Sequence, residues 1–271
     1  MRWVVFTNVY VALCGAALTA ATYSLLGVAP RFDAVAGLVF CCTLIVYNLD
    51  RLVEPRPGDT EHERWVERHR PMLWAITAAA SIGAIVFSAM LGPRVFVSLA
   101  LAGAIAIGYC LPVVRLGGRW RRLKELPGIK LVLIAGVWTY ATAGLPMLHA
   151  RVALDAQSVA ILAARLLFIA AVALPFDLPD AQRDRQSGIA TLPILFGVDK
   201  TKHIAVGLAL AAALLGGFNP WPMAGAVVLS ALVALGLVLG LKAERGVGYF
   251  MVALDGVLLV QAAGLWALAM A

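Results

Sequence analysis

The chain has 271 residues, of which 62% are hydrophobic and 14% are charged, and its formal net charge is +7. This proportion of apolar residues exceeds what a soluble globular domain carries, so the composition excludes that class. The positive charge gives no support to nucleic-acid binding, because no segment has the composition of a folded basic domain. The composition therefore predicts an integral membrane protein.

Apolar segments long enough to cross a bilayer recur along the whole chain. A helix rises about 1.5 Å per residue, so about 20 residues cross a hydrocarbon core of about 30 Å. Short charged or Pro/Gly-rich breaks separate the segments, and none of the breaks has the composition of an interdomain linker. The sequence therefore predicts one all-α domain over residues 1–271, a bundle of nine transmembrane helices at 3–26, 33–49, 72–91, 95–112, 128–146, 157–176, 203–218, 221–241 and 248–270.

Lys and Arg are distributed unevenly between the two sides of this predicted bundle. The side of the N-terminus holds 18 of the 22, counting Lys130 at the start of a helix. The positive-inside rule places this side in the cytoplasm. We therefore expect a protein of the bacterial inner membrane whose polar loops, 50–71, 113–127, 177–202 and 242–247, face the cytoplasm.

A cluster of three aspartates follows the sixth predicted span. Asp177, Asp180 and Asp184 are three and four residues apart, which places them within an arc of about 60° on a helix. Like charges at this spacing repel each other unless a cation neutralises them. Gly188 and Thr191 fall near the same face if the helix continues, which leaves room for a phosphate. The cluster predicts Mg²⁺ that carries a diphosphate.

A second acidic pair lies at the end of the second predicted span. Asp50 and Glu54 are one helical turn apart and share a face. A helix end that extends its side chains to the membrane surface, with Arg51 as counter-ion, explains this pair equally well. The three-aspartate cluster favours the metal interpretation for both regions. The predicted catalytic and metal-binding residues are therefore Asp50, Glu54, Asp177, Asp180 and Asp184.

The densest basic run lies between the two acidic regions and on the same predicted side. Membrane topology and anionic lipid headgroups account for most of its charges. A diphosphate also needs cationic partners beyond Mg²⁺. Of the run, which consists of Arg115, Arg119, Arg121, Arg122, Lys124 and Lys130, we select Arg122, Lys124 and Lys130 as predicted contacts.

Three segments of the sequence resemble motifs of one known family. The segment from Asp177 through Thr191-Leu192-Pro193 to Gly197 resembles the second aspartate-rich motif of the UbiA superfamily of membrane prenyltransferases. Asp50 with Glu54 resembles the end of that family's first motif. The segment that begins at Tyr109 and ends at Pro112 is similar to its tyrosine-proline segment, and nine helices also match.

The resemblance implies a helical bundle around a central cavity, where Mg²⁺ bridges both motifs to an isoprenyl diphosphate. Ionisation then yields an allylic cation, which a lipophilic acceptor captures; an aromatic compound or quinone precursor is expected. Apolar walls would keep water from quenching the cation. The residues assigned to substrate binding are Arg51, Asn48, Tyr109, Arg122, Lys124, Lys130 and Thr191.

The first motif departs from the family pattern. The family has an Asn-Asp pair four and three residues before the aspartate that matches Asp50, whereas this chain has Val46 and Tyr47. Asn48 is nearby but points about 160° away from Asp50 on a regular helix. Asn48 therefore substitutes for a missing ligand only if the helix breaks there.

Three functions follow from these residues. The first is a Mg²⁺-dependent prenyltransferase with a reduced first metal site. The second is a terpene cyclase of the same superfamily, in which an intramolecular π bond captures the cation and Tyr47 lines the pocket. The third is a non-catalytic lipid- or quinone-binding membrane protein, whose acidic cluster serves the fold.

Two charged residues, Arg165 and Asp255, fall inside predicted spans at comparable depth. Charges within a bilayer are costly and usually pair with one another. We therefore expect an ion pair that joins the sixth and ninth spans. The functional alternative is a polar contact for the head group of the acceptor.

Overall fold

The structure is a computed structural model and describes residues 2–53, 60–116, 118–126, 128–186, 189–241 and 249–271. Helices dominate this part of the chain. The α-helices are α1 (Arg2–Phe6), α2 (Val9–Leu25), α3 (Ala34–Val53), α4 (Glu61–Arg68), α5 (Arg70–Leu91), α6 (Pro93–Cys110), α7 (Ile129–Thr139), α8 (Leu145–His149), α9 (Ala156–Ala173), α10 (Asp177–Gln186), α11 (Leu192–Phe196), α12 (Val198–Gly216), α13 (Met223–Leu239) and α14 (Asp255–Met270). Tyr140–Gly144 and Tyr249–Leu254 form π-helical turns, and Leu123–Glu125 and Leu174–Phe176 form 3₁₀ turns.

The long helices pack in a closed circuit. Each helix in the order α2, α3, α5, α6, α7, α9, α12, α13 and α14 contacts the next, and α14 returns to α2. The main apolar core lies among α2, α9, α13 and α14, and includes Leu18, Phe168, Ala231 and Leu265. By contrast, α5 and α6 expose apolar side chains such as Ile85 over much of their length, as expected for surfaces in lipid.

The predicted number of nine spans is not confirmed. Within the described residues, six helical stretches are long and apolar enough to cross a membrane: Ala34–Val53, Arg70–Leu91, Pro93–Cys110, Ile129–His149, Ala156–Gln182 and Tyr249–Met270. Two further apolar helices, α2 and α13, are shorter, with 17 residues each. The first turn of α12 carries Asp199, which together with Lys200 and Lys202 shortens its apolar part.

The first predicted span, 3–26, is interrupted at Asn8. This residue has φ +63°, in the left-handed region, and separates α1 from α2. Its side-chain amide donates a hydrogen bond to Oδ1 of Asn48 at 2.7 Å, and both residues are buried. A contact with another helix thus stabilises a backbone conformation that asparagine tolerates better than most residues.

The loop after α6 contains the two described strands, which the sequence did not predict. Strands β1 (Val114–Leu116) and β2 (Arg119–Arg121) pair in antiparallel register, with Arg115 opposite Trp120. The 3₁₀ turn Leu123–Glu125 follows directly. This short hairpin brings the end of the basic run back to the bundle, where Lys124 is buried.

The expected ion pair between Arg165 and Asp255 does not form. The guanidinium of Arg165 donates instead to Oγ1 of Thr142 at 3.1 Å and to Oγ1 of Thr22 at 3.2 Å. Arg165 is 3% exposed, and Thr22 itself donates to the carbonyl of Thr142 at 2.8 Å. Neutral hydroxyl groups therefore satisfy this arginine, and Asp255 lies elsewhere in the bundle.

Candidate functional site

The first acidic region lies on the last two turns of α3, which extends past the predicted end of the span. Oδ1 of Asp50 accepts a hydrogen bond from Nζ of Lys124 at 2.6 Å. Both side chains are largely buried, at 17% and 10% exposure. The attraction within such a pair is stronger than in an exposed one, and it offsets the cost of removing both charges from water. Glu54, the other predicted ligand of this region, lies outside the described residues.

The second acidic region begins at the start of α10. Oδ1 of Asp177 lies 2.5 Å from Nζ of Lys130, at the start of α7, and the Asp177 side chain is 7% exposed. Pro179 is in the first turn of α10, where the missing N–H has no helical partner to lose. The sequence left open whether this proline breaks a helix or marks a new one, and the structure shows a new helix from Asp177.

The two lysines of these pairs line one small hollow, and Asp50 is connected to it through Lys124. Lys124, Lys130 and Asp177 contribute to its wall together with Thr191. The backbone N–H of Gly128 donates to the carbonyl of Ala190 at 3.3 Å, which joins the basic loop to the segment after α10. Gly128 has φ +71°, a conformation that favours glycine. The fold thus assembles residues from three distant segments at one end of the bundle.

The remaining aspartates extend the polar surface along α10. Oδ2 of Asp184 and Oγ1 of Thr191 are buried, and the two side chains lie close to each other, but neither atom has a hydrogen bond of good geometry among the described residues. Burial raises the pKa of Asp184 above its ordinary value, and the charges of Asp180 and Asp177 add to this, while Lys130 opposes it. Unsatisfied oxygens of this kind fit a site that receives a hydrogen-bonding or cationic ligand.

The carboxylates do not yet form an assembled metal centre. Over the residues that the structure describes, no three carboxylate, histidine or cysteine side chains converge to hold an ion. The lysine ammonium groups occupy positions beside Asp50 and Asp177 that a metal would need. The donor set nevertheless suits Mg²⁺, which takes one or two carboxylates and completes its shell with water and phosphate oxygens.

Aromatic side chains lie near the carboxylates of both regions. Tyr109, at the end of α6, interacts electrostatically with both Asp50 and Asp177, and Nζ of Lys124 lies 5.4 Å from its ring centroid. Tyr47 packs edge-to-face on Trp138, with 6.3 Å between the ring centroids. Trp138 is a residue that the sequence analysis did not select, because no motif marks it.

The other predicted substrate residues lie at different distances from the hollow. Arg51 interacts electrostatically with Tyr47 and Tyr109 and therefore faces the same region. Arg122 forms an ion pair with Glu125 at 2.9 Å, which stabilises the turn that presents Lys124. Asn48 is fully buried against Asn8 and points away from the lysine–carboxylate pairs.

Helix α4 covers the end of α3. Thr60 and Glu63 form a capping box at its start, with both hydrogen bonds at 3.2 Å. His62, a residue of α4, is buried near Phe6, with 4.8 Å between the ring centroids. Burial lowers the pKa of His62 to about 4, and the positive charge of Arg51 contributes to this. His62 is therefore neutral at pH 7.

Comparisons with known proteins agree on a single family. A sequence model described as the UbiA prenyltransferase family matches residues 68–248, which include Lys124, Lys130 and the second acidic region but not Asp50. A search of curated proteins finds no match. Among solved structures, the chain resembles a UbiA homologue from Archaeoglobus fulgidus bound to GPP and Mg²⁺, with TM-score 0.72, 13% identity and 100% of each chain covered.

A second solved structure has a similar fold. The apo structure of a UbiA homologue from Aeropyrum pernix K1 matches with TM-score 0.66 and 17% identity, covering 100% of this chain and 99% of that one. Identities this low show the fold alone, whereas the family match spans well over half of the chain. The protein is an integral membrane protein and belongs to the UbiA prenyltransferase family.

Proposed function

We propose that the protein is a Mg²⁺-dependent intramembrane prenyltransferase. It ionises an isoprenyl diphosphate and transfers the prenyl group to a lipophilic acceptor, an aromatic compound or quinone precursor. The observation that carries this proposal is one hollow lined by Lys124 and Lys130, each of which forms a largely buried ion pair with an aspartate of a different acidic region. Solved family members bound to GPP or DMAPP with Mg²⁺ support it.

The residues of the hollow and of the two neighbouring acidic regions have the chemistry that a diphosphate and its metal require. Asp50, Asp177, Asp180 and Asp184 would hold Mg²⁺, and Glu54 is included as a predicted ligand outside the described residues. When bound, Mg²⁺ would neutralise the negative charge that develops on the departing pyrophosphate. The buried hydroxyl of Thr191, which lines the hollow, would donate to a phosphate oxygen.

Lys124 and Lys130 have two possible partners in this proposal. Without substrate each ammonium group neutralises one buried carboxylate. When the diphosphate binds, the same groups would donate to its oxygens and release the carboxylates to the metal. The exchange keeps every buried charge partnered in both states, which a low-dielectric site requires. Arg51 and Arg122 would add positive charge around the same phosphates.

The aromatic side chains would protect the allylic cation. Tyr109 lies beside both acidic regions, and Tyr47 with Trp138 continues the aromatic surface into the bundle. Aromatic faces attract cations, and apolar walls exclude the water that would quench them. Ionisation at the hollow would therefore deliver the cation to a surface that stabilises it until the acceptor attacks.

The aromatic pair also favours a second candidate, a terpene cyclase. Tyr47 stands where the family pattern has a metal ligand, and its ring packs on Trp138. This exchange of a ligand for a ring enlarges the cation-stabilising surface at the expense of the first metal site. In a cyclase an internal π bond of the same substrate would capture the cation, and no acceptor would be needed.

The membrane orientation is part of the proposal. We place the hollow at the cytoplasmic face, because the basic residues concentrate at that end and the positive-inside rule applies. The bilayer would be the inner membrane of a bacterial cell. The isoprenyl diphosphate would then enter from the cytoplasm with its chain in the bundle, while the acceptor arrives from the membrane.

Pyrophosphate release by the purified protein in detergent tests the proposed function. The donors are C10, C15 and C20 prenyl diphosphates, each with and without Mg²⁺, and the variants are Asp180→Ala and Asp199→Asn. Asp199 is an exposed carboxylate at the start of α12, so Asp199→Asn controls for loss of charge.

We expect Mg²⁺-dependent release that Asp180→Ala lowers about 100-fold and Asp199→Asn leaves unchanged. Cyclic hydrocarbon or alcohol formed without any acceptor would identify the cyclase. Absence of release with all donors, together with no effect of Mg²⁺ and donor on thermal stability, would leave a non-catalytic lipid-binding protein.

A further inference from the structure

The hairpin of β1 and β2 is a basic surface that the proposed chemistry does not use. Arg115, Arg119 and Arg121 lie on its two strands, and the side chains of Arg115 and Arg119 are exposed. Among the described residues, no acidic side chain forms an ion pair with any of these three arginines. By contrast, the next basic residues along the chain, Arg122 and Lys124, each have a carboxylate partner. The hairpin therefore presents positive charge that the fold itself does not neutralise.

An exposed aromatic ring accompanies these charges. Trp120 is 64% exposed and lies directly opposite Arg115 in the antiparallel register, so the two side chains share one face of the hairpin. Val113, just before β1, is 45% exposed. Tryptophan combines a large apolar ring with one polar N–H, which suits the boundary between lipid and water. The hairpin therefore has the composition of an interfacial surface.

The hairpin lies between the ends of two candidate membrane spans. Helix α6 ends at Cys110, and α7 begins at Ile129. Strand β1 begins four residues after Cys110, and an extended chain of this length covers at most about 14 Å. Ile107, in the last turn of α6, is 53% exposed, so the lipid-facing surface of this helix extends almost to its end. The hairpin is therefore within reach of the headgroup layer of the bilayer.

Packing contacts hold the hairpin against the bundle. The backbone N–H of Val113 donates to the carbonyl of Arg121 at 3.0 Å, which closes the base of the hairpin. A Cβ atom added at Gly108 of α6 would lie 3.0 Å from Cγ2 of Val113 and 2.8 Å from Cδ1 of Leu123. The residues on both sides of the hairpin therefore contact α6 closely. A ligand would meet a preformed surface, and less ordering on binding favours affinity.

Membrane topology explains the number of these arginines but not their arrangement. The positive-inside rule counts charges and does not depend on whether carboxylates pair with them. Guanidinium groups bind phosphate oxygens through two parallel hydrogen bonds, and anionic headgroups attract basic segments next to a membrane span. Unpaired arginines beside an exposed indole ring, at the boundary of the bilayer, are complementary to such headgroups in both charge and polarity.

We propose that the hairpin β1–β2 binds anionic phospholipids of the surrounding membrane, with Arg115 and Arg119 on the phosphate groups and Trp120 among the headgroups. The protein would thereby select the lipids that surround the ends of α6 and α7. This inference goes beyond the proposed function and does not depend on it, because no step of prenyl transfer uses these three residues.

Quenching of tryptophan fluorescence by brominated lipids in nanodiscs tests the inference. Each nanodisc contains phosphatidylglycerol and phosphatidylcholine in equal amounts, and only one of the two lipids carries bromine on its acyl chains. The chain has 7 tryptophans, so each protein is compared with the same protein carrying Trp120→Phe. The difference in quenching reports the lipid beside Trp120, and the two labelling schemes together give the local preference between the lipids.

The test variant combines Arg115→Gln with Arg119→Gln. The matched control combines Arg68→Gln with Lys200→Gln, which removes the same charge from exposed positions on α4 and α12. In the unmodified protein and the control, we expect phosphatidylglycerol to quench Trp120 at least about threefold more than phosphatidylcholine. The test variant should show no preference. High salt should reduce the preference of the unmodified protein, since ions screen exposed charges.

Equal quenching of Trp120 by the two lipids in the unmodified protein, or an unchanged preference in the test variant, would overturn the inference. Absence of quenching of Trp120 by either lipid would overturn it too, because the hairpin would then lie away from the bilayer. Loss of the preference in the presence of excess sn-glycerol 1-phosphate would assign the arginines to a soluble phosphate instead of a lipid. Quenching of the remaining tryptophans should change little among the proteins, which confirms that each variant is folded in the bilayer.

Discussion

The two lysine–carboxylate pairs have nearly the same geometry in different surroundings. Asp50 with Lys124 and Asp177 with Lys130 are separated by 2.6 Å and 2.5 Å. Around Asp177, helix α10 supplies two more aspartates. Around Asp50, the preceding turn of α3 supplies Val46 and Tyr47, whose side chains are poor Mg²⁺ ligands.

This difference shows that a buried charge pair alone does not identify a metal ligand. In either pair the lysine ammonium group neutralises the buried carboxylate, so the fold needs no metal ion for this purpose. Only the neighbours distinguish a carboxylate that is part of a multidentate site from one that contributes a single oxygen. We therefore expect the second region to bind most of the metal and the first to assist.

Removal of one carboxylate from each region tests whether the two regions contribute unequally to catalysis. Asp177→Asn should lower Mg²⁺-dependent pyrophosphate release by about 100-fold or more, whereas Asp50→Asn should lower it about tenfold. Initial rates at saturating donor and a range of Mg²⁺ concentrations measure both effects. Equal losses in the two variants would contradict the unequal roles, and Asp199→Asn is the control.

Removal of each lysine tests the exchange between carboxylate and diphosphate. Lys130→Met should weaken binding of the non-ionising donor analogue geranyl S-thiolodiphosphate about 30-fold and Lys124→Met about tenfold, because Lys130 lies near all three aspartates of α10, where the diphosphate and its metal would bind. The same variants should bind free Mg²⁺ more tightly, since the carboxylates lose a competing cation. Titration calorimetry measures both ligands. Weaker binding of both ligands would contradict the exchange.

Addition of a metal ligand to the first region tests whether a missing carboxylate limits Mg²⁺ binding there. Tyr47→Asp places a carboxylate one turn before Asp50, where the family pattern has one. We expect the Mg²⁺ concentration at half-maximal donor binding to fall about fivefold. Tyr47→Phe, which keeps the ring against Trp138, should leave this concentration unchanged. A lower Mg²⁺ requirement in Tyr47→Phe would show that the hydroxyl, and not a missing ligand, is responsible.

The smallest expected effect concerns helix α4, which covers the end of α3 and carries His62. The pKa of His62 is about 4 in the folded protein, against about 6.5 when the residue is unfolded. The unfolded state thus binds the proton more readily, so stability is complete above pH 6.5 and decreases as the pH falls toward 4. Between pH 7.5 and pH 6 this loss amounts to about 0.8 kcal/mol.

Thermal unfolding at both pH values measures this loss. His62→Phe keeps an aromatic ring beside Phe6 and removes the titration. Its melting temperature should therefore change less between the two pH values than that of the unmodified protein. An identical change in both proteins would assign the pH dependence to other groups.

The sequence predicted the membrane class, the family and the helix that carries Asp177, because composition and a dense motif report these properties directly. It did not predict the break at Asn8, which depends on a contact with Asn48 that is 40 residues away in the chain. It also placed Arg165 and Asp255 in an ion pair, which was wrong. Helices that are apolar all round give little indication of which side faces a neighbour.

Within the site, the sequence selected Lys124 and Lys130 from a run of basic residues but did not assign their partners. The hairpin β1–β2 and the turn Leu123–Glu125 determine where Lys124 points, and neither has a strong signal in a short basic loop. Trp138 was missed for a related reason, because an aromatic residue in an apolar span is usually a packing residue. The roles of the selected residues remain predictions until the variants are measured.

The number of residues in the π-helical turn Tyr249–Leu254 determines the direction in which the side chain of Asp255 projects. A π turn contains about one residue more than an α turn, so it offsets the helical register on either side by about 100°. Deletion of one residue there would leave enough helix to cross the membrane, but it would turn Asp255 relative to the residues before it. In this span, therefore, a change in length that the membrane tolerates would still rotate the side chain of Asp255 relative to the rest of the bundle.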